Sequence, residues 1–206
     1  VVMIHEGKIV YETYPGMNPM DQHVWMSPGK TTVGLVIAQL EAEGKIDMTK
    51  EVVEYMPEFK GTNWDGIRMI DAANMATALQ LEETLEAIVD PESVIVRFFS
   101  AEFGSPNPAT GQVDDWLEIL KNADKIESEE PGYRFRYSSA VTQIFVVIAE
   151  RIENKPWATI FEERVWGNMT ARLSMQHHLT PDGTSVAHGL LSTTAEDFAR
   201  FGMLFT

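Results

Sequence analysis

The chain contains no cysteine. Disulfides, thiolate metal sites and a cysteine nucleophile are therefore excluded, and the sequence carries no mark of a redox compartment. No apolar run approaches the roughly 18 to 20 residues that a membrane-spanning helix needs, and no charged-then-apolar start resembles a signal peptide. Basic residues are scarce: 16 Lys and Arg stand against 31 Asp and Glu, a formal charge of -15 with a pI near 4.6. That acidity opposes binding to phosphate backbones and anionic lipid, so nucleic acid is not an expected partner. The compartment stays open: Val1 already lies within a strand-like pattern, so the location is periplasmic or secreted if a leader precedes it and cytoplasmic otherwise. Oligomeric state leaves no signal either.

Two familiar catalytic signatures are also missing. There is no G-x-S-x-G elbow, and Gly183-Thr184-Ser185-Val186-Ala187 departs from it at the last position. No carboxylate sits at H-E-x-x-H spacing, and adjacent His177 and His178 cannot share a helix face, so with His188 they make no expected metal site. No metal or organic cofactor is expected.

What is present is enough apolar sequence, 44% of 206 residues, to bury a sizeable core. The run VVMIHEGKIVYETY, Val1 to Tyr14, predicts a hairpin turned at Gly7, whose strands should belong to a larger sheet because an isolated hairpin is marginal in water. Few strong strand signals follow. Ser27 as N-cap, Pro28 at the first helical position and Gly44 beyond the end bracket an apolar helix. Gly29 and Gly34 inside it suggest close approach of another element. Residues 45 to 66 predict an irregular excursion with a short helix near Val52 to Tyr55. Several short helices should follow to residue 121, broken at Pro91 and at Gly104 to Pro108. Helices are then expected over Ser139 to Glu153, from Pro156 through Trp166, and from Thr193 or Thr194, where Thr193 and Glu196 have capping-box spacing.

One stretch, Met26-Ser27-Pro28-Gly29-Lys30-Thr31-Thr32-Val33-Gly34, carries the chemistry and admits two readings. Gly29-Lys30-Thr31 fits the end of a phosphate loop, but G-x-x-x-x-G-K-[ST] needs glycine at position 24, which is Val24, and Pro28 removes an N–H from the cradle. The other reading is S-x-x-K. It places a hydroxyl at a helix start and an amine one turn on, on the same face, close enough to take the hydroxyl proton. The helix start favours negative charge developing at Ser27, whose own N–H is available to an oxyanion. A bare S-x-x-K is common by chance, with Ser27 then only a cap and Lys30 only a surface charge. A second stretch adds to it: Pro131-Gly132-Tyr133-Arg134-Phe135-Arg136-Tyr137-Ser138-Ser139-Ala140, a turn, an aromatic extended segment and a helix start. A phenol beside a lysine ammonium ionises more readily and can relay protons. Alone, Tyr137 would read as a core aromatic.

In order along the chain, VVMIHEGKIVYE, WMSPGKTTVG, EAEGKID, PGYRFRYSSA and AHGLLSTTAEDFARFG together resemble the serine β-lactamase-like family. That group spans class C β-lactamases, carboxylesterases and penicillin-binding proteins, with the 6-aminohexanoate-dimer hydrolase branch among them. The resemblance implies an α/β (α+β) fold with an antiparallel sheet and a helical region. It implies Ser27 as nucleophile, Lys30 as its proton acceptor, and Tyr137 as general base with the lysine and acid toward the leaving group. The substrate implied is a small-molecule ester, amide or β-lactam. Trp25 and Ser139, beside the two motifs, are expected to line the substrate site.

Several positions depart from the family pattern. Ser139 stands where many members have Asn, and Val141 where the amide-hydrolase branch tends to have one. Ala76-Thr77-Ala78 replaces a Thr-Ser-Gly turn, and only Gly189 remains of a Gly-Gly pair. The family's third motif, a K-[ST]-G or H-x-G strand supplying the second oxyanion N–H, falls beyond Thr206. The expectation is one incomplete domain over 1–206: a sheet hairpin at 1–17 and a mostly helical region at 24–206. If Thr206 is the true end, hydrolysis should be weak, since losing one oxyanion donor costs about 10²- to 10³-fold. The competing reading is a catalytically silent binding module of the same fold.

Overall fold

A computed structural model describes residues 1–206. Glu6 and Gly7 both adopt positive φ, 47° and 72°, the mirror-image turn that matches strand twist, and they close β1 (Val2–His5) onto β2 (Lys8–Glu12). The ladder runs antiparallel from Val2 opposite Glu12 to His5 opposite Lys8, with an irregularity between Met3 and Ile4. All of β2 is exposed, and the hairpin forms a sheet of its own. The larger sheet expected around it is therefore not the one observed. A separate antiparallel sheet, ordered β3-β5-β4, joins β3 (His23–Val24) to β5 (Leu191–Thr193) and β4 (Gln176–His177). Strands of two and three residues are too short to show alternation, which is why periodicity missed them.

Nine α-helices follow β3 in the order the sequence predicts. α1 (Lys30–Ala42) ends at Gly44, whose φ of 71° only glycine adopts freely. Ser27 is not its N-cap. Residues Ser27 to Gly29 form a 3-10 turn, and no side chain caps either segment. α2 (Val52–Tyr55) is closed by reciprocal bonds between Glu51 and Glu54. α3 (Met69–Ala73), α4 (Leu85–Val89), α5 (Val94–Glu102) and α6 (Trp116–Lys121) are the short helices, with the breaks at Pro91 and at 104–108 falling between them. α7 (Ser139–Glu153) is the central helix. Ser138 caps its start, Asn154 in the left-handed region ends it, and every residue from Ser139 to Ala149 is buried, so the sequence is apolar around nearly the whole circumference. α8 (Trp157–Arg164) and α9 (Ala195–Gly202) complete the set.

Val33, Val36, Ile37 and Leu40 of α1 share one contiguous cluster of 39 buried residues with α7, α8 and the aromatic side chains Phe98, Trp64, Phe161 and Phe201. Gly34 faces open space, with nothing within 4 Å of an added Cβ, so the close approach expected there is absent.

The cap of α9 lies one residue later than the Thr193–Glu196 spacing suggests: Thr194 Oγ1 accepts from the Asp197 N–H. Asp197 is fully buried and works beyond its own helix. Its carboxylate accepts from the N–H groups of Arg172 (2.8 Å) and Leu173 (3.3 Å) and from Thr194 Oγ1 (2.9 Å), and it pairs with Arg200 at 3.2 Å. Asp197→Ala should lower the unfolding free energy by about 3 kcal/mol in urea titrations, because it leaves several donors without an acceptor. A loss below about 0.5 kcal/mol, the range of an unconnected surface change, would contradict that role.

Candidate active site

The turn that begins α1 is strained at its first residue. Met26 sits at φ 56°, ψ -146°, a region normally left to glycine, and non-glycine residues held there cluster at functional sites. The Gly29 N–H bonds back to Met26 O at 2.9 Å, closing the turn so that Ser27 is exposed with Lys30 one turn behind it. As first residue of a helical turn, Ser27 has an N–H with no intrahelical acceptor.

Two groups converge on one oxygen. Lys30 Nζ donates to Ser27 Oγ at 3.2 Å, and the Tyr137 hydroxyl bonds the same Oγ at 2.6 Å. The ammonium also lies 4.9 Å from the centroid of the Tyr137 ring. Tyr137 comes from a segment 110 positions away. Its own backbone is fixed on each side: the Glu83 N–H donates to Tyr137 O at 2.9 Å, the Arg136 N–H to Met75 O at 2.7 Å, and the Ser139 N–H to the Glu83 carboxylate. The Arg136 side chain bonds both Glu82 and Glu129. Glu129 is held below its ordinary range chiefly by that guanidinium. Ala78 adopts φ 59°, the conformation a glycine would take freely.

A third segment closes the site from behind. Lys30 Nζ donates to His188 O at 3.1 Å. A Cβ at Gly29 would come within 2.6 Å of Ala187 O and 3.1 Å of Gly189 N, so the backbone of 187–189 lies directly on the turn. This is the close approach that Gly29 announces in the sequence. Behind it, His188 Nε2 is 2.9 Å from Glu102 Oε2, with His188 5% exposed and Glu102 wholly buried. Burial pushes the Glu102 carboxyl up, and the imidazole only partly offsets this. Sequence reasoning missed Glu102. A charged residue at the end of the apolar α5 run was its one signal.

The two expected substrate contacts lie elsewhere. Trp25 is buried, donates from Nε1 to Thr193 Oγ1 at 2.7 Å, and packs on Phe198 and Phe201 with centroids 4.4 and 5.1 Å away. It ties β3 to α9 instead of lining a cleft. Ser139 is buried in the first turn of α7. His177 and His178 are not brought together. Nδ1 of His177 lies 2.8 Å from Ser185 Oγ, while His178 meets Phe103 edge-on. Burial lowers the His177 pKa to about 4, so it is neutral at pH 7. A groove of about 220 Å³ lies between α1, α3 and α7, with Val33, Ile37, Met75 and Phe145 among its walls. It meets the site only through Lys30, since neither Ser27 nor Tyr137 lines it.

This geometry stands beside clear relationships. The family model described as Beta-lactamase matches residues 1–205. The chain belongs to that family. It is 28% identical over 204 residues to a 6-aminohexanoate-dimer hydrolase of Paenarthrobacter ureafaciens, covering 98% of this chain and 50% of the relative. Its fold is similar to that of a Bacillus anthracis protein provisionally named as such a hydrolase, with TM-score 0.85, 23% identity, and coverage of 99% and 53%. A D-stereospecific amidohydrolase from Streptomyces sp. has TM-score 0.64 at 16% identity, covering 89% of this chain and 60% of that one. The chain thus spans about half the length of the curated relative it matches. These folds are of the β-lactamase type, mixed α/β with antiparallel sheets.

Within this beta-lactamase-family site the two helix glycines give opposite expectations. Gly29→Ala would push 187–189 off the turn and should cost about 2 kcal/mol. Gly34→Ala, in open space within α1, should stabilise by about 0.5–1 kcal/mol. Thermal denaturation of the pair checks both signs, and equal shifts would contradict the contact.

Proposed function

We propose that this protein is a serine hydrolase that cleaves an ester or amide bond, a β-lactam included, through an acyl-enzyme on Ser27. The observation that carries the reading is the convergence of Lys30 Nζ and the Tyr137 hydroxyl on Ser27 Oγ, at 3.2 and 2.6 Å. A hydroxyl becomes a useful nucleophile only when an adjacent base takes its proton. The Lys30–Tyr137 pair does so in either of two forms of equal charge, amine with phenol or ammonium with phenolate. The Lys30 Nζ, 4.9 Å from the centroid of the phenol ring, keeps the two members of the pair together beside Ser27.

Ser27 Oγ attacks the carbonyl carbon, its proton passes to the pair, and the carbonyl electrons move to oxygen. The Ser27 N–H and the helix start stabilise that oxyanion. Collapse breaks the bond to the leaving group, which takes the proton from Tyr137 and departs as alcohol or amine. Water, deprotonated by the same pair, then releases the acid and restores Ser27. No cofactor enters this scheme. The names of the relatives, a dimer hydrolase of 6-aminohexanoate and a D-stereospecific amidohydrolase, support an amide among the substrates. The residues 1–206 are on this reading part of one β-lactamase-like domain.

The test is turnover of a p-nitrophenyl ester and of a linear amide. Ser27→Ala should lose at least about 10³-fold in kcat. Lys30→Ala and Tyr137→Phe should each lose about 10²- to 10⁴-fold, as expected for a positioned proton acceptor. Turnover that survives in Ser27→Ala would overturn the proposal.

A further inference from the structure

The buried pair of Glu102 and His188 takes no part in the scheme above, yet it lies directly behind Lys30. On folding cost alone it is unfavourable. Both side chains leave water, and the imidazole packs beside the rings of Phe98 and Phe99, with centroids 6.1 and 6.0 Å away. Glu102 Oε1 has no hydrogen-bond partner. A buried pair with an orphaned oxygen is no better for stability than apolar side chains of the same size, and replacing such pairs is often neutral or stabilising. What the pair does supply is a fixed direction for the backbone at His188.

Three contacts make that direction matter. His188 O accepts from Lys30 Nζ at 3.1 Å. The Ala187 carbonyl and Gly189 N–H lie against Gly29. The next residues enter β5, where Leu191 O receives the Trp25 N–H at 2.8 Å. Turning the 187–189 backbone would therefore move Lys30 Nζ relative to Ser27 Oγ. From α5, Glu102 holds the imidazole at 2.9 Å, and the imidazole holds the peptide that holds the lysine.

We propose that Glu102 and His188 are positioning residues that hold the His188 carbonyl against Lys30, and so set the lysine on the nucleophile. The claim rests on the hydrolase reading for its kinetic test but not for its structural one. Neither residue touches substrate or the reacting atoms. Their action is through the backbone, because His188→Leu leaves the carbonyl itself in place.

The experiment compares wild type with the double variant Glu102→Leu/His188→Leu and with Glu102→Gln, reading kcat and KM for a p-nitrophenyl ester alongside thermal stability. The double apolar variant should fold at least as well as wild type and lose about 10²-fold in kcat, the scale of a misplacement near 1 Å, with KM changed less than about twofold. Glu102→Gln keeps an acceptor for the imidazole N–H and should recover most of the rate. A folded double variant with wild-type kcat would overturn the proposal, as would a Glu102→Gln protein as slow as the double variant. If wild type shows no turnover, the hydrolase reading fails separately. The pair is then judged by a crystal structure of the double variant, in which Lys30 Nζ should have left Ser27 Oγ. An unmoved Lys30 would overturn the proposal on that arm.

Discussion

The structure depends on one close approach. The peptides of 187–189 rest on the turn 26–30 so tightly that position 29 has no room for a Cβ, the nearest oxygen being 2.6 Å from where one would sit. Ser27, Lys30 and Tyr137 are arranged around that contact. It fixes the start of α1, supports the strained Met26, and brings a carbonyl to Lys30. From the other side, the extended segment 133–137 delivers the Tyr137 hydroxyl to the same serine. A serine between two segments that are remote in sequence is held by tertiary packing, since a three-residue 3-10 turn has little rigidity of its own.

The surrounding core is built to keep those segments in register. α7 is buried along most of its length and packs on α1, so the helix that follows Ser27 and the helix that follows Tyr137 share one interior. Polar groups inside this region are used as clamps. Asp197 gathers the N–H groups of 172 and 173, Arg136 bridges two glutamates beside Tyr137, and Gln143 Nε2 donates to Ser185 O at 2.8 Å just before the 187–189 segment. Each replaces hydration with directional bonds, which specify geometry more than they add stability.

Most of the helices and the pairing of Ser27 with Lys30 were legible in the sequence because they depend on local signals: apolar periodicity, Gly44 at a helix end, and S-x-x-K spacing that forces Ser27 and Lys30 onto one face, whereas Tyr137 was reached only through the family resemblance of its stretch. Gly29 also announced its contact, though nothing named the partner. What could not be read was non-local. The three-stranded sheet is built from strands too short for alternation, and Trp25, adjacent to the motif, turns inward to Thr193 and α9 although its neighbour Ser27 turns outward. Ser27 looked like an N-cap because serine before proline at a helix start usually is one. Here its hydroxyl is occupied by Lys30 and Tyr137. Glu102 was invisible because its partner lies 86 positions on.

The proposed mechanism requires that Ser27 Oγ be acylated. Intact mass spectrometry before and after brief exposure to an activated ester and to a β-lactam, with peptide mapping, tests it most directly. A mass increase equal to the acyl group, located on the peptide containing Ser27 and absent from Ser27→Ala, is the predicted result. An adduct that persists in that variant, or one mapped to another residue, would contradict the assignment of the nucleophile.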